Sequence, residues 1–132
     1  MQIMNKIYNI LLDGHRIGTT KLEKADAPMG VVFGEIIFSN IESGYEFFKR
    51  YCLENQIDFT DCPEDSLITT RNIPNLKVFD PDGIEIKGEA SSISGMDKNI
   101  FELSIEGIEY PFYENEFPHH VSFYNEMFKG NK

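Results

Sequence analysis

Short runs of period-two alternation, each closed by a turn dipeptide, constrain this chain more than any other feature. Ile7 to Leu12 reads as a strand and Arg16 to Leu22 as its return, with Asp13-Gly14 between them. Glycine accepts positive φ without penalty, so this dipeptide favours a tight hairpin. Leu76 to Phe79 and Ile84-Glu85-Ile86-Lys87 flank Asp80-Pro81-Asp82-Gly83. There proline suits the second turn position and glycine the left-handed one, so this too reads as a hairpin. Phe101 to Ile105 alternates again, Glu106-Gly107 turns, and Ile108 to Phe112 continues the period. Pro111 cannot donate to a ladder, which puts that last strand on a sheet edge. Val31 to Phe38 is rich in β-branched and aromatic residues and reads as a strand near the centre of a sheet. Lys24 to Gly30, with Pro28, reads as a loop.

One strong helical pattern interrupts the strands, over residues 44–56. Ser43 can cap it, with Glu46 three residues later in the capping-box position. Tyr45, Phe48, Tyr51 and Cys52 form an apolar stripe, while Lys49, Arg50 and Glu54 fall mostly off it. A short C-terminal helix is expected over 118–128. Pro118 suits its first turn, Phe117, Val121, Tyr124 and Phe128 share a face, and Gly130 suits its end. The expected fold is α+β: a mostly antiparallel, meander-like sheet of about six strands, helix 44–56 packed on one face, and the short C-terminal helix. A single mid-chain helix argues against a doubly wound parallel sheet. The 132 residues suit one domain, 1–132, whose core needs no disulfide or metal.

Charge is the unusual property. Asp and Glu number 22, Lys and Arg 12, and the net charge is −10. Residues 1–24 carry Lys6, Arg16, Lys21 and Lys24 against Asp13 and Glu23, so the acidic surplus lies entirely in the remainder. Such a field repels nucleic acid and anionic membrane and attracts basic partners. No apolar run is long enough to span a bilayer. The opening segment from Met1 to Tyr8 is broken by polar residues too early for a secretory signal. The expected location is therefore the cytoplasm, where Cys52 and Cys62, separated by nine residues, are expected as reduced thiols.

No catalytic, cofactor or metal constellation emerges from the motifs. Cys52 falls on the buried stripe, and Cys62 lies among Asp58, Asp61, Glu64 and Asp65, whose charges disfavour a thiolate. His119-His120 follows Glu114 and Glu116, but adjacent helical histidines point about 100° apart and share one ion only with an irregular backbone. Asp80-Pro81-Asp82-Gly83 begins like a calcium loop and lacks its later ligands. Gly14 to Gly18 matches no phosphate-binding fingerprint.

The expected function is a non-enzymatic acidic protein-binding domain with a basic protein partner, for example an immunity-type inhibitor of a basic toxin. Its contact residues are expected in the acidic loop (Asp58, Asp61, Glu64, Asp65) and around Glu114, Glu116 and Phe117. Tyr110 and Tyr113 are expected as aromatic anchors. Two alternatives follow from the same residues. One is a ligand-binding protein or enzyme with a pocket reached by His15, His119 or His120. The other is a secretion-type chaperone that adds a segment to a sheet edge near Pro111.

Overall fold

The computed structural model describes residues 6–129. The first half of the chain gives β1 (Tyr8–Leu12), β2 (His15–Thr20), β3 (Lys24–Asp26), β4 (Val31–Glu35), β5 (Ile37–Phe38), α1 (Gly44–Asn55) and β6 (Phe59–Cys62). The second half gives β7 (Leu67–Thr70), β8 (Leu76–Phe79), β9 (Ala90–Met96), β10 (Ile100–Glu106), α2 (Tyr110–Glu116) and α3 (Pro118–Lys129). Gly130, the expected helix stop, and the side chain of Phe128 lie outside the described residues, as do Met1–Asn5. Among the described residues no helix is long and apolar enough to cross a membrane.

The fold is α+β, and its strand pairings are antiparallel. The strands form two sheets, ordered β5-β2-β1-β8 and β3-β4-β10-β9-β7-β6, where the alternation suggested one. The reason lies at Ile36. Glu35 still pairs with Glu102 on β10, whereas Ile37 already pairs with Thr19 on β2. Between them the Ile36 N–H donates to the Phe101 carbonyl at 2.9 Å, and the Ile36 side chain is buried. The expected single strand over 31–38 is thus split between sheets. Glycine permits the close approach on both sides. A Cβ on Gly34 would lie 2.8 Å from the Leu22 amide nitrogen, and one on Gly18 would strike the Ile37 carbonyl oxygen.

The β1–β2 hairpin forms as its turn dipeptide requires, with Asp13 (φ 52°) and Gly14 (φ 83°) both left-handed. Ser43 caps α1, its Oγ accepting from the Glu46 N–H at 3.3 Å. Other segments depart from their patterns. Residues 108–112 are not an edge strand, because Pro111 sits in the first turn of α2. Proline's missing N–H is harmless there too, and the helix turns Tyr113 and Phe117, four residues apart, into the core. Residues 84–87 make a single bridge, Glu85 to Phe79, rather than a full hairpin strand. Asp80 Oδ1 instead accepts from the amides of Asp82 and Ile84, each at 2.9 Å, closing the turn on a side chain. The acidic stretch 58–65 is not simply a loop. It forms the edge strand β6, paired with β7, and a 3-10 turn at Pro63–Asp65. The Lys24–Gly30 stretch likewise holds β3 and a 3-10 turn.

Buried residues of both sheets belong to one continuous core with α1, α2 and the 117 junction. At its centre Phe48 of α1 meets Phe38 of β5 and Phe101 of β10, with ring centroids 6.2 and 5.9 Å away. Aromatic contacts at this spacing add to the burial of the rings themselves. Phe48 is fully buried, whereas Leu53 on the other side of α1 is 62% exposed. Phe48→Ala is therefore expected to cost about 3–5 kcal/mol and Leu53→Ala less than about 0.5 kcal/mol. Urea denaturation of the two variants checks this, and equal losses would contradict the assigned helix face.

Candidate functional site

The residues singled out by charge fall at two separated places. Asp58, Asp61, Glu64 and Asp65 lie on and beside β6, one terminal strand of the six-stranded sheet. Asp58, Glu64 and Asp65 are exposed, whereas Asp61 is half-buried and already engaged. Its Oδ2 accepts from the Tyr45 hydroxyl at 2.6 Å and pairs with the Lys49 ammonium at 3.2 Å. These two contacts, the tyrosine first, hold the Asp61 carboxyl below the usual carboxylate range. The Cys62 thiol donates to Asp65 and Glu64 at 3.5 Å each. Those carboxylates raise its pKa, so it stays a thiol. Burial alone pushes the Cys52 thiol up to about 11. Both cysteines are free.

The second group is on α2, and most of it holds the fold. Tyr113 is fully buried and its hydroxyl donates to the Val31 carbonyl on β4 at 3.0 Å. Phe117, 1% exposed, packs against Tyr8 and Tyr113 with centroids 6.1 and 5.4 Å away. Neither ring presents itself at the surface, so the pair anchors α2 to the core and not to a partner. Glu116 is drawn inward by Lys6 at 2.6 Å and by the Tyr8 hydroxyl at 2.7 Å. Only Tyr110, stacked on Tyr113, and Glu114 remain exposed. Tyr113 ties α2 to β4, beside the end of the sheet opposite β6. The structure therefore does not bring the two sets together.

A feature that alternation and charge do not reveal lies at that opposite end. A groove of about 990 Å³ runs between β3 and α3. Residues 23–27, five in succession, line one side of it. Of these, Lys24–Asp26 form β3, and successive strand residues face opposite ways, so what the three share is the strand's edge. The other wall is one face of α3, carrying Phe123 (69% exposed) and Met127 (50% exposed), and Phe33 of β4 adds an aromatic surface. Lys24 is turned away from the edge. It crosses the Phe33 ring, 5.9 Å from its centroid, and reaches Glu102 of β10 at 2.8 Å. Sequence reading missed the groove because Lys-Ala-Asp carries no strand pattern. The helical aromatics at 123 and 124 hinted only at a buried face.

His119 and His120 close one end of this groove, their ring centroids 4.0 Å apart. Both rings also meet Phe117. His120 Nε2 lies 2.9 Å from the Leu22 carbonyl oxygen, which can only accept, so this nitrogen carries the proton. His119 Nδ1 is buried and has no hydrogen-bond partner. Burial, then the neighbouring His120, brings the His119 pKa down to about 4, and burial lowers that of His120 as well. Near neutral pH both rings are uncharged. His15 is exposed on β2 and does not line this groove. Among the described residues, no three histidine, cysteine or carboxylate groups are placed to hold a metal ion.

Comparison with known proteins returns no match: no family model, no curated protein and no solved structure.

Because His119 is protonated less readily in the fold than in the unfolded chain, acid favours unfolding through it. Its contribution is intact above the ordinary value of 6.5 and is lost as pH falls towards about 4. The expected outcome is that melting temperature falls less between pH 7 and pH 5 for His119→Gln than for the native chain. Identical profiles for the two proteins would show that the buried ring is not coupled to stability.

Proposed function

We propose that this chain is a non-enzymatic, acidic protein-binding domain with a basic protein partner. Its most concrete form is an immunity-type inhibitor that neutralises a basic toxin in the cytoplasm. The observation that carries this reading is negative charge left unpaired. Of the 22 carboxylates in the sequence, only Asp61, Asp80, Glu102 and Glu116 lie within ion-pair distance of a basic side chain among the described residues. Those four involve just three lysines, Lys6, Lys24 and Lys49. A field of one sign over so small a surface speeds encounter with an oppositely charged protein and suppresses acidic competitors. Exposed apolar side chains such as Phe123 and Met127 offer the desolvated contacts that charge alone does not supply. Two free thiols accord with a reducing compartment.

Capture from a lysate of the source cells at low salt, followed by washes of rising salt, tests the reading. The expected result is one stoichiometric basic protein that survives moderate salt, and no retained protein at any salt would overturn it. With that partner in hand, Asp58→Lys combined with Glu64→Lys is expected to slow association by roughly tenfold at low salt and to flatten its salt dependence. Stopped-flow measurement reads both, and an unchanged rate would remove the β6 corner from the encounter surface.

A further inference from the structure

We infer that the groove between β3 and α3 takes an extended, alternately apolar and basic segment of the partner, added as a new strand on the β3 edge. This rests on the reading of the chain as a binder of basic protein and assigns the place and mode of that binding.

Four observations lead to it. First, β3 ends the six-stranded sheet, so one side of its backbone has no neighbouring strand among the described residues. Unpaired strand edges are templates for another chain, and proteins ordinarily blunt them with charge, proline or a covering element. Second, what guards β3 sits at its two ends, His120 on the Leu22 carbonyl and the Pro28 turn, whereas the other edges are blunted on the strand itself. On β6, Asp61 is bound to Tyr45 and Lys49 of α1. On β8, the Ile86 N–H covers the Val78 carbonyl at 2.8 Å. β5 has only two residues. On β3 the residue that could guard the edge, Lys24, is drawn across the sheet to Glu102.

Third, the groove follows the edge. Residues 23–27 line it in succession, and the three that form β3, Lys24–Asp26, offer roughly 10 Å of strand edge at about 3.3 Å per residue. A strand beside a helix wall is the geometry in which main-chain hydrogen bonds supply affinity and side-chain contacts supply selectivity. Fourth, the lining selects the occupant. An added strand points alternate side chains to opposite sides. Apolar ones suit Phe33, Phe123 and Met127, and basic ones suit Asp26, an exposed carboxylate outside the described ion pairs, whereas the Glu23 Oε2 already accepts from the Glu35 N–H at 3.0 Å. An acidic or fully polar segment finds neither match.

The test uses the full chain, isotope-labelled, titrated at low salt with a synthetic peptide of alternating lysine and valine. The expected result is shift changes and amide protection centred on Lys24–Asp26, with shift changes at Phe123 and Met127. N-methylation of the peptide at every second residue, tried in both frames, removes strand-edge donors. In one frame it should weaken binding at least about tenfold, the loss of one to two net hydrogen bonds. Phe123→Asp should weaken binding while leaving the urea unfolding curve unchanged, since the ring is 69% exposed. Shifts confined to residues 58–65, or equal affinity for the peptide and both N-methylated forms, would overturn strand addition while leaving the basic-partner reading intact. Absence of any shift at millimolar peptide would overturn it as well, and lysate capture decides the broader reading separately.

Discussion

The passage of the chain through Ile36 sets the arrangement of everything else. Within three residues, Glu35 to Ile37, the backbone leaves the ladder with β10 and joins the ladder with β2. A switch this short leaves no slack, so the two sheets are held at the spacing that the Ile36 amide and the Phe101 carbonyl define. It also carries Phe38 under α1, where Phe48 and Phe101 meet it. A larger residue at position 34 or 18 would push the backbones apart at the point where the sheets share their core. Interiors packed to crystal-like density transmit such displacements rather than absorb them.

Charge enters the fold sparingly and at seams. Lys6, Tyr8 and Glu116 join the first strand to the end of α2, with Asp80 of the turn after β8 at 3.7 Å from the same ammonium. Tyr45, Lys49 and Asp61 fasten the β6 edge to α1. Lys24 and Glu102 fasten β3 across β4 to β10. Of these pairs only Lys24–Glu102 is exposed at both ends, where the gain in stability is small. Their effect is to fix which edges are closed and where each long side chain lies. The remaining carboxylates contribute to a long-range field whose reach is about 8 Å at physiological salt. Such a field acts on encounter more than on folding.

What the sequence disclosed follows from which physical signal was local. The Asp13-Gly14 turn, the Ser43 cap and Pro118 at the start of α3 are decided within a few residues, and each is found where the pattern puts it. β9 was invisible because its residues are mostly serine and glycine. Gly95 there leaves room for the Phe101 ring, and of the seven only Ile93 is fully buried. Residues 108–112 alternate convincingly, but proline tolerates both an edge strand and a first helical turn. Burial of Tyr113 and Phe117, a tertiary gain, decided for the helix. The same burial withdrew an expected anchor, Tyr113, and an expected contact residue, Phe117, from the surface. Charge could mark Asp58, Glu64 and Asp65 as exposed and could not show that Tyr45 and Lys49 hold Asp61. The groove at β3 depends on residues about a hundred positions apart in sequence, Lys24 and Met127, and no local pattern connects them.

The junction between α2 and α3 gives the groove its rigidity. Phe117 ends α2 with φ −123° and ψ 53°, outside helical geometry, and Pro118 starts the next helix at once. A turn this tight swings only if Phe117 leaves its packing against Tyr8 and Tyr113, which lie in the main core. The Tyr113 hydroxyl on Val31 fixes the same junction to β4, and His120 on the Leu22 carbonyl fixes the first turn of α3 to the chain just before β3. Both walls of the groove are therefore referenced to one sheet edge before anything binds. Preorganisation of that kind leaves the ordering cost of association to the incoming segment, at about 1–2 kcal/mol per residue fixed. A segment already extended in its own protein bears less of that cost than a disordered tail. Under the proposed strand addition, this favours a partner that presents a formed strand or a taut loop.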